Sequence, residues 1–402
     1  MSKKIPLGLT LALIFLTAAV TFAVTVTVYM KNSDELIQDL PQKAKQYSKL
    51  TSLDELVRAQ YYGDINYSKI DSSLADGYIE GLGDSYCSYI AAENYDSYMS
   101  YLSGVIPGVG LNAFYDASAA SLYVSSVDAD SPASDAEIAK GDYIKSVNGI
   151  EVTEKNCEEL LSVLGNGTDE SVTLSVIRQN GGESAVEVKL KSGYSAQSCS
   201  YSVNGTIGYI RITNFYDNTY DLFCAATDAL IADGVTGLII DVRSNYSTNV
   251  DAAVKIIDRI VPLASQESGA LATAKNSDNE IIQIYSSDAQ SMSLPIAVLI
   301  NDRTEGAAEL LACDLRDFGK GYLIGETTVG HGTLQKLFRL DDGGAVSLTV
   351  AKIYPYSNDS YDGIGVKPDE IITMTDIQKN SLDSLEFSED GQYQAAYSYL
   401  SK

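Results

Sequence analysis

Residues Leu294–Glu326 read "LPIAVLINDRTEGAAELLACDLRDFGKGYLIGE". The run Ile296–Ile300 is apolar without alternation, as expected of a strand buried on both faces. "TEGAAELLACDLRDFG" has the spacing of a helix ended by Gly319, and "GYLIGET" is a second buried strand. Strand, helix and strand in that order predict an α/β unit, whose sites gather at the C-terminal ends of the strands.

The pattern extends in both directions. Upstream lie a strand in "GTIGYIRITNF", a helix in "YDLFCAATDALIADG", a buried strand in "TGLIIDVR" and a helix in "NVDAAVKIIDRIVP". Downstream, "AVSLTVAKIYPY" is a further strand after the turn at Asp341–Gly344. The turns to watch follow Arg243, Asn301 and Thr328. The last leads into "VGHGTLQ", which holds His331, the one histidine in the chain.

Before this domain the period changes to two. "GVGLNAFYD" and "SLYVSSVDADSPAS" read as strands, "NCEELLSVLGNG" as a helix, and "SVTLSVIRQNGGESAVEVKL" as a hairpin about Asn180–Gly182. Ser33 to about Tyr101 reads as helical, with Leu74, Tyr78, Ile79 and Leu82 along one side.

Lys3 and Lys4 precede an uncharged apolar run from Ile5 to Met30. At 1.5 Å per residue it spans about 39 Å, more than the ~30 Å hydrocarbon core of a bilayer. It is read as an uncleaved anchor with the lysines cytoplasmic and the bulk of the chain on the extracytoplasmic side. "TFA" at Thr21–Ala23 offers only a weak cleavage site, since the apolar run continues past it.

The chain has 54 acidic and 28 basic residues, a formal charge of -26. This argues against nucleic acid as a partner, because phosphate binding needs clustered Lys and Arg. The cysteines, Cys87, Cys157, Cys199, Cys224 and Cys313, show no metal-ligand spacing. With one histidine, a zinc site is not expected. They are read as free thiols, with one disulfide left open. No phosphate loop or cofactor motif occurs, so no cofactor and no metal are implied.

In order along the chain, "GYIEGLGDSYCSYI", "GVGLNAF", "SPASDAEIAKGDYIKSVNGIEV", "GLIIDVRSN", "AVLINDRTEGAAELLACDLRDFG", "GETTVGHGTLQ" and "GIGVKPD" resemble landmarks of the C-terminal processing peptidases, or tail-specific proteases. Asp84 to Tyr89 is similar to the family's Asp-Pro-Tyr-Ser-x-Tyr phrase, with Ser85 in the proline's place. The resemblance implies an α+β multidomain chain. Its parts are a cytoplasmic tip and single transmembrane helix (1–31), a helical N-terminal region (32–101), a PDZ β-domain (102–193) and a crotonase-like α/β peptidase core with a C-terminal helix (194–402). The segment "QAAYSYL" near the C-terminus stays open as a closing helix or a surface tail.

The resemblance also implies a peptide-tail site. PDZ domains add a peptide as a strand and hold its carboxylate on backbone N–H groups of a glycine-containing loop. Here that loop is Gly108-Val109-Gly110-Leu111, with Ile138, Ile144 and Val147 expected to line the apolar pocket. Expected partners are protein C-termini or unstructured peptide segments, the membrane, and a homo- or hetero-oligomer with family relatives.

The family's chemistry uses a serine nucleophile, a lysine base, a glutamine one helical turn after the lysine, and an oxyanion turn. The register of Asn301, Thr304 and Glu309 puts Gly306 at the nucleophile position. Gly330, Gly332 and Gln335 put His331 at the base position and Gln335 at the orienting position. The family's Asn-Pro-Gly-Gly turn is Asn245-Tyr246-Ser247-Thr248 here. Gly306 carries no atom that could attack a carbonyl, and a partly solvated His331 would fill the former lysine pocket. The expectation is a pseudopeptidase. The alternative is an active serine-type endopeptidase rebuilt on Thr304, with His331 as base and Ser247 or Thr248 as further hydroxyls; against it, Thr304 reads as the N-cap of the following helix.

Overall fold

A computed structural model of the chain describes residues 17, 21, 43–128, 131–166, 171–189, 191–261, 270–287, 291–383 and 385–402. The expected anchor lies almost wholly outside them. Among the described residues no helix is long and apolar enough to cross a membrane.

The chain divides into two compact units, 1–71 and 72–402. Helix α1 covers 43–60, and Tyr47, Leu50, Leu53 and Leu56 on it are all exposed. Helix α2 is Tyr67–Glu80. The stretch read as helical up to Tyr101 is then interrupted by strand β1, Ser88–Ile90, before α3, Tyr95–Leu102. β1 is drawn into the core because it pairs antiparallel with Ser347–Ala345.

The small β-domain follows. β2 is Val105–Gly108, β3 Leu111–Asp116, β4 Ser121–Val127, α4 Pro132–Asp135, β5 Tyr143–Val147, β6 Ile150–Glu151 and α5 Cys157–Asn166. It closes with β7 (Ser171–Ile177), β8 (Glu183–Lys189) and β9 (Lys191–Ser195). The sheet runs β3-β4-β5-β7-β8, with β6 paired to β5 and β2 paired to β9 apart from it. β3 is therefore an edge strand.

Ile138, Ile144 and Val147 are buried in this domain's core with Leu122, Leu160 and Leu174. The expectation that they line an accessible pocket is corrected: Ile144 and Val147 sit on the central strand β5 and are buried in a core shared with Leu160 and Leu164 of α5. Ile138 likewise packs inside.

The remaining chain runs β10 (Cys199–Asn204), β11 (Ile207–Ile212), α6 (Thr219–Ala232), β12 (Gly237–Asp241), α7 (Val250–Ile260), β13 (Ala270–Lys275) and β14 (Ile281–Ser286). Next come β15 (Ile296–Ile300), α8 (Ala307–Asp317), β16 (Gly321–Gly325), β17 (Thr333–Arg339) and β18 (Ala345–Tyr354). β19 (Glu370–Ile371), α9 (Asp376–Asn380) and α10 (Gly391–Leu400) end it.

The main sheet is ordered β10-β11-β12-β15-β16-β19. β11 through β19 are parallel, and β10 is an antiparallel edge. β12 and β15 are buried at every position, as their uninterrupted apolar runs demand. Helices α6, α7 and α8 fill one face, with Phe223, Ile257 and Leu311 in that core. Tyr393 and Ala396 of α10 pack on the other face against Ile239, Leu299 and Ile324. "QAAYSYL" is thus the closing helix.

A buried ionic cluster ties α10 to the sheet. Arg243 binds Asp241 at 2.6 Å and Asp390 at 2.7 Å, and donates to Gln392. Burial alone would raise the Asp241 carboxyl, but Arg243 and Arg211 outweigh it and hold it at about 2.

Candidate functional site

The turns after β12, β15 and β16 meet at the C-terminal ends of their strands, where such a sheet places its sites. Ser244 N–H donates to Asn301 Oδ1 at 2.9 Å, and Glu305 N–H to the Asn245 carbonyl at 2.8 Å. Gly306 sits at the head of α8 with φ 64 and ψ -118. That is the sharp strand-to-helix turn on which a serine nucleophile is usually held. A Cβ at this position would lie 3.6 Å from His331 Nδ1. The backbone thus keeps the nucleophile-to-base geometry with no nucleophile on it.

The oxyanion position is filled from within the chain. In an elbow site the N–H after the nucleophile points at the developing negative charge. Here that N–H, of Ala307, donates to the Ser247 carbonyl at 2.8 Å. The same oxygen would stand 2.5 Å from a Cβ at 306. The Asn245–Thr248 turn is fixed in this pose. Asn245 Nδ2 donates to the Ile212 carbonyl and its Oδ1 accepts from Ser247 N–H, while Ser247 Oγ donates to the Phe215 carbonyl at 3.1 Å. Tyr246 and Thr248 point to solvent. The Ser247 hydroxyl is therefore occupied.

Thr304 is fully buried, and its Oγ1 accepts from Asn301 N–H at 3.0 Å. Its one hydroxyl proton lies between the Val242 carbonyl (3.1 Å) and Asn301 Oδ1 (3.2 Å). This corrects two expectations. Thr304 is not placed as a nucleophile for His331, and it is not the N-cap of α8, which is Gly306. It closes the loop before the helix instead.

His331 is 1 % exposed rather than partly solvated. The ring of Tyr86, from the segment leading into β1, stacks on it with centroids 3.3 Å apart. Nδ1 lies 3.1 Å from Glu305 Oε1, at ion-pair distance but outside hydrogen-bond alignment. Neither ring nitrogen has an aligned hydrogen-bond partner among the described residues. Contact with His331 holds the Glu305 carboxyl below its usual range. Burial, with Glu305 alongside, pushes the Tyr86 phenol up to about 12.

Gln335 is also corrected as an orienting residue. It lies on β17, a strand, so it cannot stand one helical turn beyond position 331. Its Nε2 donates to Thr333 Oγ1 at 2.8 Å and Thr349 Oγ1 at 3.1 Å.

The organising group missed from the sequence is Glu309. Its carboxylate collects the N–H groups of Gly306 (3.0 Å), Gly330 (2.6 Å) and His331 (2.7 Å), and the Thr328 hydroxyl. One buried acid thus clamps the nucleophile turn to the base turn. Its carboxyl is raised by burial, which outweighs these bonds. The available signal was an acid three residues after the N-cap, the register of a capping box. Tyr86 and Glu305 were missed as well.

In the β-domain, Gly108 and Gly110 have φ 103 and 79, angles that favour glycine, so the loop depends on them. Val109 is buried, and its N–H donates to the Leu164 carbonyl at the end of α5. A peptide carboxylate would have to use the amides that follow. Leu111 begins the edge strand β3. Among the described residues no cluster of side chains could hold a metal ion.

Comparison with known proteins gives the same assignment. Residues 206–372 match the model of peptidase family S41, and residues 123–178 match a PDZ domain. The chain belongs to the C-terminal processing peptidase family. It is 27% identical over 367 residues to the carboxy-terminal processing protease CtpA of Bacillus subtilis, covering 91% of this chain and 78% of the relative. It is also 27% identical over 337 residues to a carboxy-terminal-processing protease of Bartonella bacilliformis, covering 82% and 75%. The solved structure of an S41-type protein from Bacteroides fragilis superposes with a TM-score of 0.60 at 18% identity, covering 85% of this chain and 98% of the other, which speaks to fold alone. The positions that the sequence resemblance pairs with the family's serine and lysine are Gly306 and His331.

Proposed function

We propose that this chain is a membrane-anchored, extracytoplasmic pseudopeptidase of the C-terminal processing family, which binds peptide tails or partners an active relative. The observation that carries the reading is the Ala307 N–H bonded to the Ser247 carbonyl beside a side-chain-free Gly306. Without a nucleophile there is no acyl-enzyme, and with the amide occupied there is no donor for an oxyanion. The Thr304 hydroxyl is held by its own loop and His331 lies under Tyr86, which supports inactivity further.

The binding half of the proposal rests on the PDZ domain. Among the described residues strand β3 has no strand on its outer side, which leaves an edge onto which a peptide can add, and α5 packs beside it. The apolar run Ile5–Met30 supports the anchor and the placement outside the membrane.

The test is incubation of the full chain with an unstructured polypeptide ending in hydrophobic residues, followed by mass spectrometry and by binding of the free-acid and amidated tail peptides. The expected result is an intact substrate with tighter binding of the free acid. Equal binding of acid and amide would overturn the tail-capture half. Turnover lost in Thr304→Ala or His331→Ala would overturn the pseudopeptidase half.

A further inference from the structure

Between the PDZ domain and the core lies a cleft of ≈ 1350 Å³. Small-molecule pockets run to about 1,000 Å³, so this one has room for a peptide. One wall is the start of β10, with Cys199, Ser200 and Tyr201. β10 pairs with β11 on one side, and no strand neighbours its other side among the described residues. Such an edge presents unpaired backbone N–H and C=O groups, a template for strand addition.

The facing wall is the outer end of β3 and β4, with Leu111, Asn112, Phe114 and Val127. No residue of α5 lines the cleft, so it is distinct from the β3–α5 groove in which a PDZ domain holds a tail. At one end it reaches Ser244 and Tyr246, the turn of the emptied site. Phe114, Tyr201 and Tyr246 are 42%, 51% and 60% exposed, so their rings are free for an occupant.

The charge of the wall runs against that of the chain. In a protein of net charge -26, Lys140, Arg211, Arg303 and Lys379 line this cleft against Asp128, Asp383 and Glu386. Arg211 is matched by Asp383 at 3.0 Å, and Lys379 by Asp302 and Glu326. Lys140 instead donates to a main-chain oxygen, that of Asp383, at 3.2 Å. Arg303 donates to Asn380 Oδ1 and pairs with Asp376, whose side chain is 85% exposed, where an ion pair is weak. The cations of the lining least committed to an acid are therefore Lys140 and Arg303, and these two are the groups that complement a carboxylate.

We propose that this cleft is a second peptide site, in which an extended segment pairs with the free edge of β10, lays aromatic or large aliphatic side chains against Phe114, Tyr201 and Tyr246, and presents a carboxylate to Lys140 and Arg303. The inference builds on the peptide-binding reading, and of the Gly108–Leu111 loop it shares only Leu111. The carboxylate belongs to an acidic side chain or to the peptide's own terminus, and the probes separate the two sources.

The experiment is fluorescence anisotropy with the full chain and labelled ten-residue peptides that alternate Phe and Ser about a central Glu. One carries the Glu and an amidated terminus, a second has Gln in its place, and a third has Gln with a free-acid terminus. Binding of the first or third over the second names the carboxylate source, and either result supports the site. The double variant Lys140→Glu/Arg303→Glu should weaken that binding at least tenfold, Tyr201→Ala should weaken it several-fold, and N-methylation of alternate peptide residues should abolish it. Thermal melts check that each variant is folded. No binding by any peptide at 1 mM, or binding indifferent to both protein variants, overturns the proposal. Binding lost only in Ala113→Glu, on β3, would assign the peptide to the PDZ groove, overturning this site while leaving the tail-capture reading intact.

Discussion

Placing a serine at Gly306 tests whether the site merely lacks an atom or is closed. In Gly306→Ser the new Cβ would stand 2.5 Å from the Ser247 carbonyl oxygen, where ordinary contact begins near 3.4 Å. The residue must also hold φ 64 and ψ -118, a strain of about 1–3 kcal/mol for a side chain other than glycine. To relieve the contact the Asn245–Thr248 turn must move, losing the Ala307 N–H to Ser247 bond, worth about 1 kcal/mol net. The expected destabilisation is about 2–4 kcal/mol. In a domain of this size each kcal/mol lowers Tm by about 2–4 °C, so a fall of roughly 4–16 °C should appear by calorimetry. Hydrolysis of a hydrophobic-tailed polypeptide should remain at background, in Gly306→Ser and in Gly306→Ser/His331→Lys alike. A Gly306→Ser protein as stable as its parent and able to cleave the substrate would refute the reasoning, since the turn would then not be closed.

The other predictions concern buried charge. Glu309→Ala strands three N–H groups and a hydroxyl, at about 1–3 kcal/mol each, so denaturant titration should show a loss above about 4 kcal/mol. Arg243→Met leaves Asp390 buried without its cation and Asp241 with Arg211 alone, and should cost about 3–5 kcal/mol by the same titration. Because the folded Asp241 carboxyl is lowered from 3.8 to about 2, its contribution is complete above pH 4. About 2 kcal/mol should be lost as pH falls toward 2, read as a drop in Tm that is smaller in Arg243→Met, where Arg211 alone remains beside Asp241. Asp314 has the opposite sign. Burial raises its carboxyl well above 3.8 and its Oδ2 has no hydrogen-bond partner among the described residues, so its protonated form favours folding at low pH and that stability is lost as pH rises. Asp314→Asn should raise Tm at pH 8 and leave it unchanged below pH 4.

Much of the fold could be read from short-range pattern. The apolar runs of β12 and β15 and the helix between Gly306 and Gly319 follow from residues within a dozen positions of each other. The register of Gly306 and His331 came from their neighbours in the same way. What stayed hidden depends on distant pairings or on backbone direction. Tyr86 covers His331 across 245 positions of sequence (331 − 86), and β1 joins β18 over a similar span. The Ser247 carbonyl faces Ala307 because of how one turn is oriented, which residue type alone does not specify. Ile144 and Val147 read as pocket residues in the sequence because apolar positions on a strand look alike whether they face a groove or the core. The one-turn spacing that the resemblance implies between positions 331 and 335 does not hold, because Gln335 lies on strand β17.

The central claim, that this member of the family holds peptides without cutting them, is tested most directly by long incubation of the full chain with a stoichiometric, doubly labelled hydrophobic-tailed peptide, followed by mass spectrometry of bound and free fractions. The account predicts peptide recovered intact from the bound fraction after many hours. Cleaved peptide that disappears when His331 is replaced by alanine would contradict it.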